Sequence, residues 1–331
     1  MFLLRLLEDL QGLQEKLFQM TFYRKINHHS LTVVVLCLLL LLAGCKSYKE
    51  KEDELPDNKN KGTINVSADE TFKPVIDEMV QVYEANHPGT RILLQYKPEA
   101  DCLKDMLTDS IRLIIATRHF NMEEKSLMVD SMKVSPRSMV IARDGIAVIV
   151  NPKAPDSLFR MTDIKEILTG RFKKNLIPVF DGLKATSTVR FIIDSVLRGD
   201  SLTSRAMAAR SSEAVLDYVA KNREAIGFIG ISWIGNPEDT SQLSFLKKIR
   251  VAAIECTDIP DAFVKAYQAN IYIKRYPMVR DLVYILKENY KGLGTGFANF
   301  MSGEIGQLIF KRAYLAPAQK SFGIRPVKLN E

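Results

Sequence analysis

Three stretches of this chain set hydroxyl, carboxylate or guanidinium side chains where a strand is expected to run into a helix. The richest is Asp181-Gly182-Leu183-Lys184-Ala185-Thr186-Ser187-Thr188-Val189-Arg190, a turn that passes through three hydroxyls into a helical stripe. Thr186, Ser187 and Thr188 offer side-chain and backbone donors, and Arg190, one turn inside, offers a guanidinium fork. The second is Ser67-Ala68-Asp69-Glu70-Thr71-Phe72, where Thr71 is a donor and Asp69 and Glu70 are carboxylates. The third is Ile115-Ala116-Thr117-Arg118-His119, a strand end with Arg118 as its cation. Donors of these kinds hold an inorganic oxyanion, because N–H groups, hydroxyls and a guanidinium satisfy its oxygens without a full countercharge.

Each stretch also has a plainer reading, and both stay open at this point. Ser and Thr cap many helices, Asp69 or Glu70 can be an ordinary N-cap, and Arg118 can be an exposed loop cation. A carboxylate in an anion site carries a specific meaning, however. It accepts the hydrogen of a protonated phosphate, whereas fully ionised sulfate has no hydrogen to give, so an acceptor at Asp69 or Glu70 discriminates between the two ions.

Other chemistries are pruned by what the chain lacks. Only Cys102 and Cys256, and only His87 and His119, lie beyond residue 45, and no CxxC or HxxxH spacing suggests zinc. No cofactor motif is present. Ser187 paired with His119 would be the serine hydrolase reading, but no GxSxG elbow surrounds that serine. The net charge of +7 is not gathered into a basic run with interleaved aromatics, which argues against nucleic acid.

The elements that must position these residues alternate. Apolar, β-branched runs at Thr63–Val66, Arg91–Tyr96, Ile111–Ala116, Gly145–Val150, Ile177–Phe180, Ala225–Ile231, Arg250–Ile254 and Asn270–Ile273 predict strands of an α/β chain. Between the first two, Phe72, Val75, Ile76, Met79, Val80 and Tyr83 form a one-sided stripe, with Pro74 in the first turn of the helix it predicts. Asp163 and Glu166 suggest a capping box, and Gly170 a left-handed helix end. Val189, Ile192, Ile193, Val196 and Leu197 predict a helix ending at Gly199; Val279, Leu282, Val283 and Leu286 predict another; and Phe297 to Ile309 predict a last one broken near Gly303 and Gly306.

The N-terminal segment has a different logic. Arg24, Lys25, His28 and His29 precede an apolar run from Leu31 to Leu42, too short for a durable membrane span and ending in Leu42-Ala43-Gly44-Cys45. This is the layout of a bacterial signal peptide, and the ending resembles a lipobox, which implies cleavage before Cys45 and lipidation of its thiol. Phe2 to Phe18 reads as a helix that a signal peptide does not need, so Met20 is an alternative start. The polar stretch from Lys46 to Lys61 reads as a tether.

At these residues the chain resembles the phosphate-binding subunit of phosphate-specific ABC transporters, of the type II periplasmic binding protein superfamily, in its lipoprotein form from Bacteroidetes-like bacteria. The resemblance rests on the order and spacing of segments 67–92, 97–118, 144–152, 161–170, 186–197, 224–233, 276–285 and 297–318. It implies an α/β, two-lobed fold, each lobe a mixed sheet flanked by helices, the lobes joined by two crossover strands. It implies a signal peptide over 1–44, a tether over 45–61, one lobe from 62–143 plus 252–331, and another from 144–251. Inorganic phosphate or a similar oxyanion is the implied ligand and an ABC permease the implied partner. No catalysis, no cofactor, a monomer, and anchorage in the cell envelope through the lipid on Cys45 are expected with it. Two departures bear on the ligand. The usual Ser-Gly-Thr loop reads Ala185-Thr186-Ser187-Thr188, and the usual Ser-Asp reads Thr117-Arg118, so a cation stands where the family keeps its acceptor. A sensor, or an accessory of a membrane energy-transducing complex, on the same fold is the alternative function.

Overall fold

The computed structural model describes residues 55–184, 186–236 and 238–319, together with Gly12, Gln14 and Lys16, which are helical. The chain divides into a unit of residues 1–55 and a unit of residues 56–331. The apolar run, the Leu-Ala-Gly-Cys ending and Cys45 lie outside the described residues. Among the described residues no helix is long and apolar enough to cross a membrane.

The larger unit begins with β1 (Lys61–Asp69), α1 (Lys73–Asn86), β2 (Gly89–Lys97), α2 (Glu99–Asp105), β3 (Ile111–Ala116) and α3 (Met122–Met132). It continues with β4 (Arg137–Val150), β5 (Leu158–Phe159), α4 (Met161–Thr169) and β6 (Ile177–Phe180). Then come α5 (Ser187–Phe191), running on through a π-helical turn (Ile192–Leu197), β7 (Met207–Ala208), α6 (Ser212–Lys221) and β8 (Ala225–Gly230). The described residues continue with α7 (Thr240–Leu246), β9 (Arg250–Val251), β10 (Ala253–Glu255), β11 (Phe263–Val264), α8 (Gln268–Tyr272), β12 (Val279–Leu286), α9 (Leu293–Ser302), α10 (Glu304–Arg312) and β13 (Ala316–Pro317).

The main sheet runs β2-β1-β3-β12-β4-β8-β6-β7. β1 pairs in parallel with β2 and β3, and β6 in parallel with β7 and β8, while β12 and β4 run antiparallel to their neighbours. β4 is the strand common to both halves: its first part, up to Gly145, pairs with β12, and Ile146–Val150 pair with β8. The carboxyl ends of β1 and β3 in one half, and of β6 and β8 in the other, therefore face the junction at which β4 changes partner. Open α/β sheets place ligands at such strand ends.

Helices seat themselves by their apolar stripes. On α1 the buried side chains are Val75, Ile76, Met79, Val80 and Tyr83, as the spacing predicts, with Pro74 in the first turn. Each such burial is worth about 1.5–3 kcal/mol, which fixes the rotation of the helix on β1. Tyr83 adds a hydroxyl bond to the Lys59 carbonyl at 2.7 Å and edge contacts to Phe297 and Phe300, tying α1 to α9. Gly170 ends α4 with φ 77°, the left-handed conformation expected of it. The capping box of α4 is shifted from the expected pairing: Asp163 accepts from the backbone N–H of Arg160 at 2.8 Å. Gly303 separates α9 from α10, as the glycine spacing suggests.

Two assignments change. Val279–Leu286, expected as a helix, is β12, and Asn270–Ile273, expected as a strand, falls in and just after α8. β12 lies between β3 and β4 with Leu282 through Leu286 buried, so both faces are covered and its sequence shows no alternation. A doubly covered strand reads as a continuous apolar run, and Val279, Leu282, Val283 and Leu286 match helical spacing by accident.

Candidate functional site

A buried polar cluster fills the junction of the two halves. From one half, β1 delivers Asp69 and Thr71: the strand ends at Asp69, whose Oδ1 caps the following 3-10 turn by accepting the Thr71 N–H at 3.0 Å. From the other half, β6 delivers Asp181, and the start of α5 delivers Ser187 and Thr188, with Thr186 as N-cap accepting the Val189 N–H at 3.4 Å. The halves touch through these side chains. The Thr71 hydroxyl lies 3.4 Å from Asp181 Oδ2 and 3.5 Å from Ser187 Oγ, and the Thr71 carbonyl receives Trp233 Nε1 at 2.7 Å and Ser232 Oγ at 3.2 Å.

At the centre stands Arg280, only 4% exposed. It is the direct cross-strand neighbour of Asp144, and its Nε and Nη2 donate to Asp144 Oδ2 at 3.0 and 2.8 Å. The other Asp144 oxygen accepts the Ile231 N–H at 3.1 Å. Asp144 thus locks the guanidinium so that Nη1 points at Ser187 Oγ, 2.8 Å away, and Thr188 Oγ1, 3.2 Å away. The guanidinium carbon lies 5.1 Å from the centroid of the Phe72 ring. Backbone packs close by at Gly230, where an added Cβ would lie 2.7 Å from Thr71 Cγ2 and 3.1 Å from Asp144 Oδ2. No side chain fits there without displacing the cluster.

Two oxygens in this cluster have no hydrogen-bond partner among the described residues: Asp69 Oδ2 and Asp181 Oδ1, both on buried side chains. Burial pushes the Asp69 carboxyl above its usual range, with Arg280 opposing the shift. Burial, followed by the charge of Asp69, lifts Asp181 to about 6. A buried acceptor left unpaired costs about 1–3 kcal/mol, so the arrangement is one that a hydrogen donor would relieve. Among the described residues no group of three or more His, Cys, Asp or Glu side chains is placed to hold a metal ion.

The residues singled out in the sequence fall into two groups. Asp69, Thr71, Ser187 and Thr188 belong to the cluster, Thr186 caps the helix beside it, and the half-buried Glu70 lies next to Asp69, its carboxyl raised chiefly by burial and then by Asp181. Arg190 instead reaches across to the other half, where its Nε binds Glu99 Oε2 at 2.5 Å and its Nη2 binds Thr117 Oγ1 at 2.7 Å. Glu99 completes this clasp by accepting the backbone N–H and hydroxyl of Thr117, and Arg190 chiefly holds its carboxyl below the usual range against the opposing cost of burial. Arg118 forks onto Glu124 with two bonds of 2.7 Å, within its own half. His119 bonds Ser138 Oγ at 2.8 Å while Ser187 bonds Arg280, so the serine–histidine pair of a hydrolase is not assembled. Cys102 and Cys256 are free thiols.

Arg280, Asp144, Asp181, Glu99 and Ser212, whose hydroxyl lies 3.3 Å from Asp181 Oδ2, are site residues that no sequence motif marks. One signal was present: Arg280 and Asp281 are charges inside an otherwise apolar run. Beside the cluster, Glu99, Leu103, Arg118, Lys184, Val189 and Arg190 line an open groove of about 370 Å³ between the halves.

The model of the PBP superfamily domain (PBP_like_2) matches residues 55–304. Among solved structures, one similar chain is a protein assigned as a phosphate ABC transporter substrate-binding protein, with bound phosphate, from Clostridium perfringens. It is 20% identical, with a TM-score of 0.65 over 78% of this chain and 100% of that one. A second is an ABC-type phosphate transport receptor from Vibrio cholerae, 15% identical, TM-score 0.58, over 76% of this chain and 99% of that one. A third is a possible phosphate binding protein from Planctomyces limnophilus, 17% identical, TM-score 0.53, over 79% of this chain and 94% of that one. No curated protein sequence matches the chain. At these identities the likeness is one of fold. The match over residues 55–304, with the two-lobed folds that the chain resembles, places it in the PBP superfamily, the periplasmic binding proteins.

Proposed function

We propose that this protein is a solute-binding protein that closes its two lobes on inorganic phosphate, or a similarly protonated oxyanion, and delivers it to an ABC transporter. The observation that carries the reading is the combination of donors and acceptors at one buried point. Thr71, Ser187 and Thr188 supply hydroxyls and Arg280 supplies a guanidinium hydrogen, while Asp69 Oδ2 and Asp181 Oδ1 are acceptors in want of a hydrogen. A protonated tetrahedral oxyanion offers both kinds of group on one small body, and the similar Clostridium perfringens protein carries phosphate.

In this reading β1 to β3 and β12 belong to the first lobe, and residues 146–251 to the second together with β10 and β11, which pair with β5, with β4 as one crossover. Thr71 and Asp69 belong to the first lobe, and Ser187, Thr188 and Asp181 to the second. The clasp of Glu99, Thr117 and Arg190 then holds the closed form, so Arg190 acts on closure rather than on the ion. Export under the N-terminal signal and lipidation of Cys45 would keep the protein beside its permease, with the tether allowing it to reach.

Calorimetric titration tests the proposal. Phosphate is expected to bind, and sulfate to bind at least tenfold more weakly. Each carboxylate facing an oxygen without hydrogen remains unpaired, at about 1–3 kcal/mol, and 1.4 kcal/mol is about tenfold. Heat with neither ion, from protein shown to be folded, would remove phosphate as the ligand.

A further inference from the structure

The unpartnered oxygens are two, one from each side of the cluster, and a single P–OH group can satisfy only one of them. Asp69 Oδ2 comes from the end of β1 and Asp181 Oδ1 from the end of β6, and both side chains are buried. Resting on the phosphate reading, we infer that the site selects the doubly protonated ion, dihydrogen phosphate, with one hydrogen accepted by Asp69 Oδ2 and the other by Asp181 Oδ1.

The donor count agrees with this ion. Dihydrogen phosphate has two oxygens that carry no hydrogen, and the hydroxyls of Thr71, Ser187 and Thr188 with Arg280 Nη1 are the donors available to them. The charge balance agrees as well. Arg280 spends Nε and Nη2 on Asp144, which leaves one guanidinium facing Asp69, Asp144 and Asp181 together. Glu99 from α2 and the half-buried Glu70 add negative charge around Asp69 and Asp181, and the guanidinium of Arg190 is committed to Glu99. A dianion placed there would set an unprotonated oxygen against a carboxylate in a dry site, where like charges in contact are strongly disfavoured. A second proton on the ion removes that contact and adds a charge-assisted hydrogen bond.

The pH dependence of affinity follows. As pH rises above neutrality, dihydrogen phosphate gives way to the monohydrogen dianion, and affinity should fall by about tenfold per pH unit. As pH falls through the ionisation of Asp181, near 6, that carboxyl carries its own proton and ceases to accept, so affinity should fall on the acid side too. The test is calorimetric titration of the purified protein with sodium phosphate from about pH 5.5 to about pH 8.5, on wild type and on Asp181→Asn. Wild type is expected to show the alkaline loss. Asp181→Asn presents an amide N–H to an unprotonated oxygen, accepts the dianion, and should lose the slope. Wild-type affinity that is flat or rising toward pH 8.5, or a variant that keeps the wild-type slope, overturns the inference while leaving phosphate as the ligand. Absence of phosphate binding by wild type at every pH would overturn the phosphate reading and the inference with it.

Discussion

Replacing Arg280 with Met should abolish phosphate binding, by a hundredfold or more, and should also destabilise the fold by about 3–5 kcal/mol. The first effect comes from Nη1, the only guanidinium hydrogen-bonding nitrogen turned toward Ser187 and Thr188 rather than toward Asp144. The second comes from what is left behind. Asp144 is fully buried on the neighbouring strand, and without its partner it becomes an uncompensated charge in the middle of the sheet. The two effects separate in the double variant Arg280→Met/Asp144→Asn. There the asparagine can still accept the Ile231 N–H while carrying no charge, so most of the stability should return and none of the affinity. Urea unfolding reads the stability and titration reads the affinity. A single Arg280→Met variant that binds phosphate within threefold of wild type would remove Arg280 from the site.

Asp181→Asn should stabilise the ligand-free protein at neutral pH, by up to about 3 kcal/mol. Its carboxyl ionises at about 6 in the folded protein against the usual 3.8, chiefly because it is buried and next because Asp69 is near. Between those two values the folded state therefore keeps a proton that the unfolded chain has released, and above them it carries a buried charge at a cost. The stabilising contribution of that proton is fully present below the unfolded value and is lost as pH rises through the folded one. Asparagine has no such titration, and its carbonyl can still accept from Ser212, so the gain of the variant should be large at about pH 7.5 and vanish near about pH 4. Denaturation at the two pH values checks this; a variant no more stable than wild type at the higher pH would mean that burial of Asp181 carries no such penalty. A site that holds unpaired carboxylates gives up stability for selectivity, which is a common relation between function and fold.

Much of this arrangement was legible from residue types. The hydroxyl run at 186–188 and the Asp69–Thr71 turn announced themselves as strand-to-helix transitions, and the structure brings both to the junction at β4. The short apolar runs marked β1, β2, β3, β6 and β8 because those strands carry the β-branched bias of a buried sheet. What was not legible depends on pairing across the sheet. Arg280 stands out only once β12 is known to be a strand beside β4, since a charge in a supposed helix looks like a solvated face. Arg190 looked free because its partner, Glu99, is 91 residues away. That Arg118 forks through Nη1 and Nη2 onto Glu124, the capping-box residue of α3, was not legible because nothing in its own segment reveals it.

The most direct test is the crystal structure of the protein with phosphate. The ion should lie in the buried cluster, touching Thr71 Oγ1, Ser187 Oγ and Arg280 Nη1, with Asp69 Oδ2 and Asp181 Oδ1 within hydrogen-bonding distance of two of its oxygens. Phosphate found instead in the open groove against Arg118 and Lys184, with the cluster unchanged, would contradict the account.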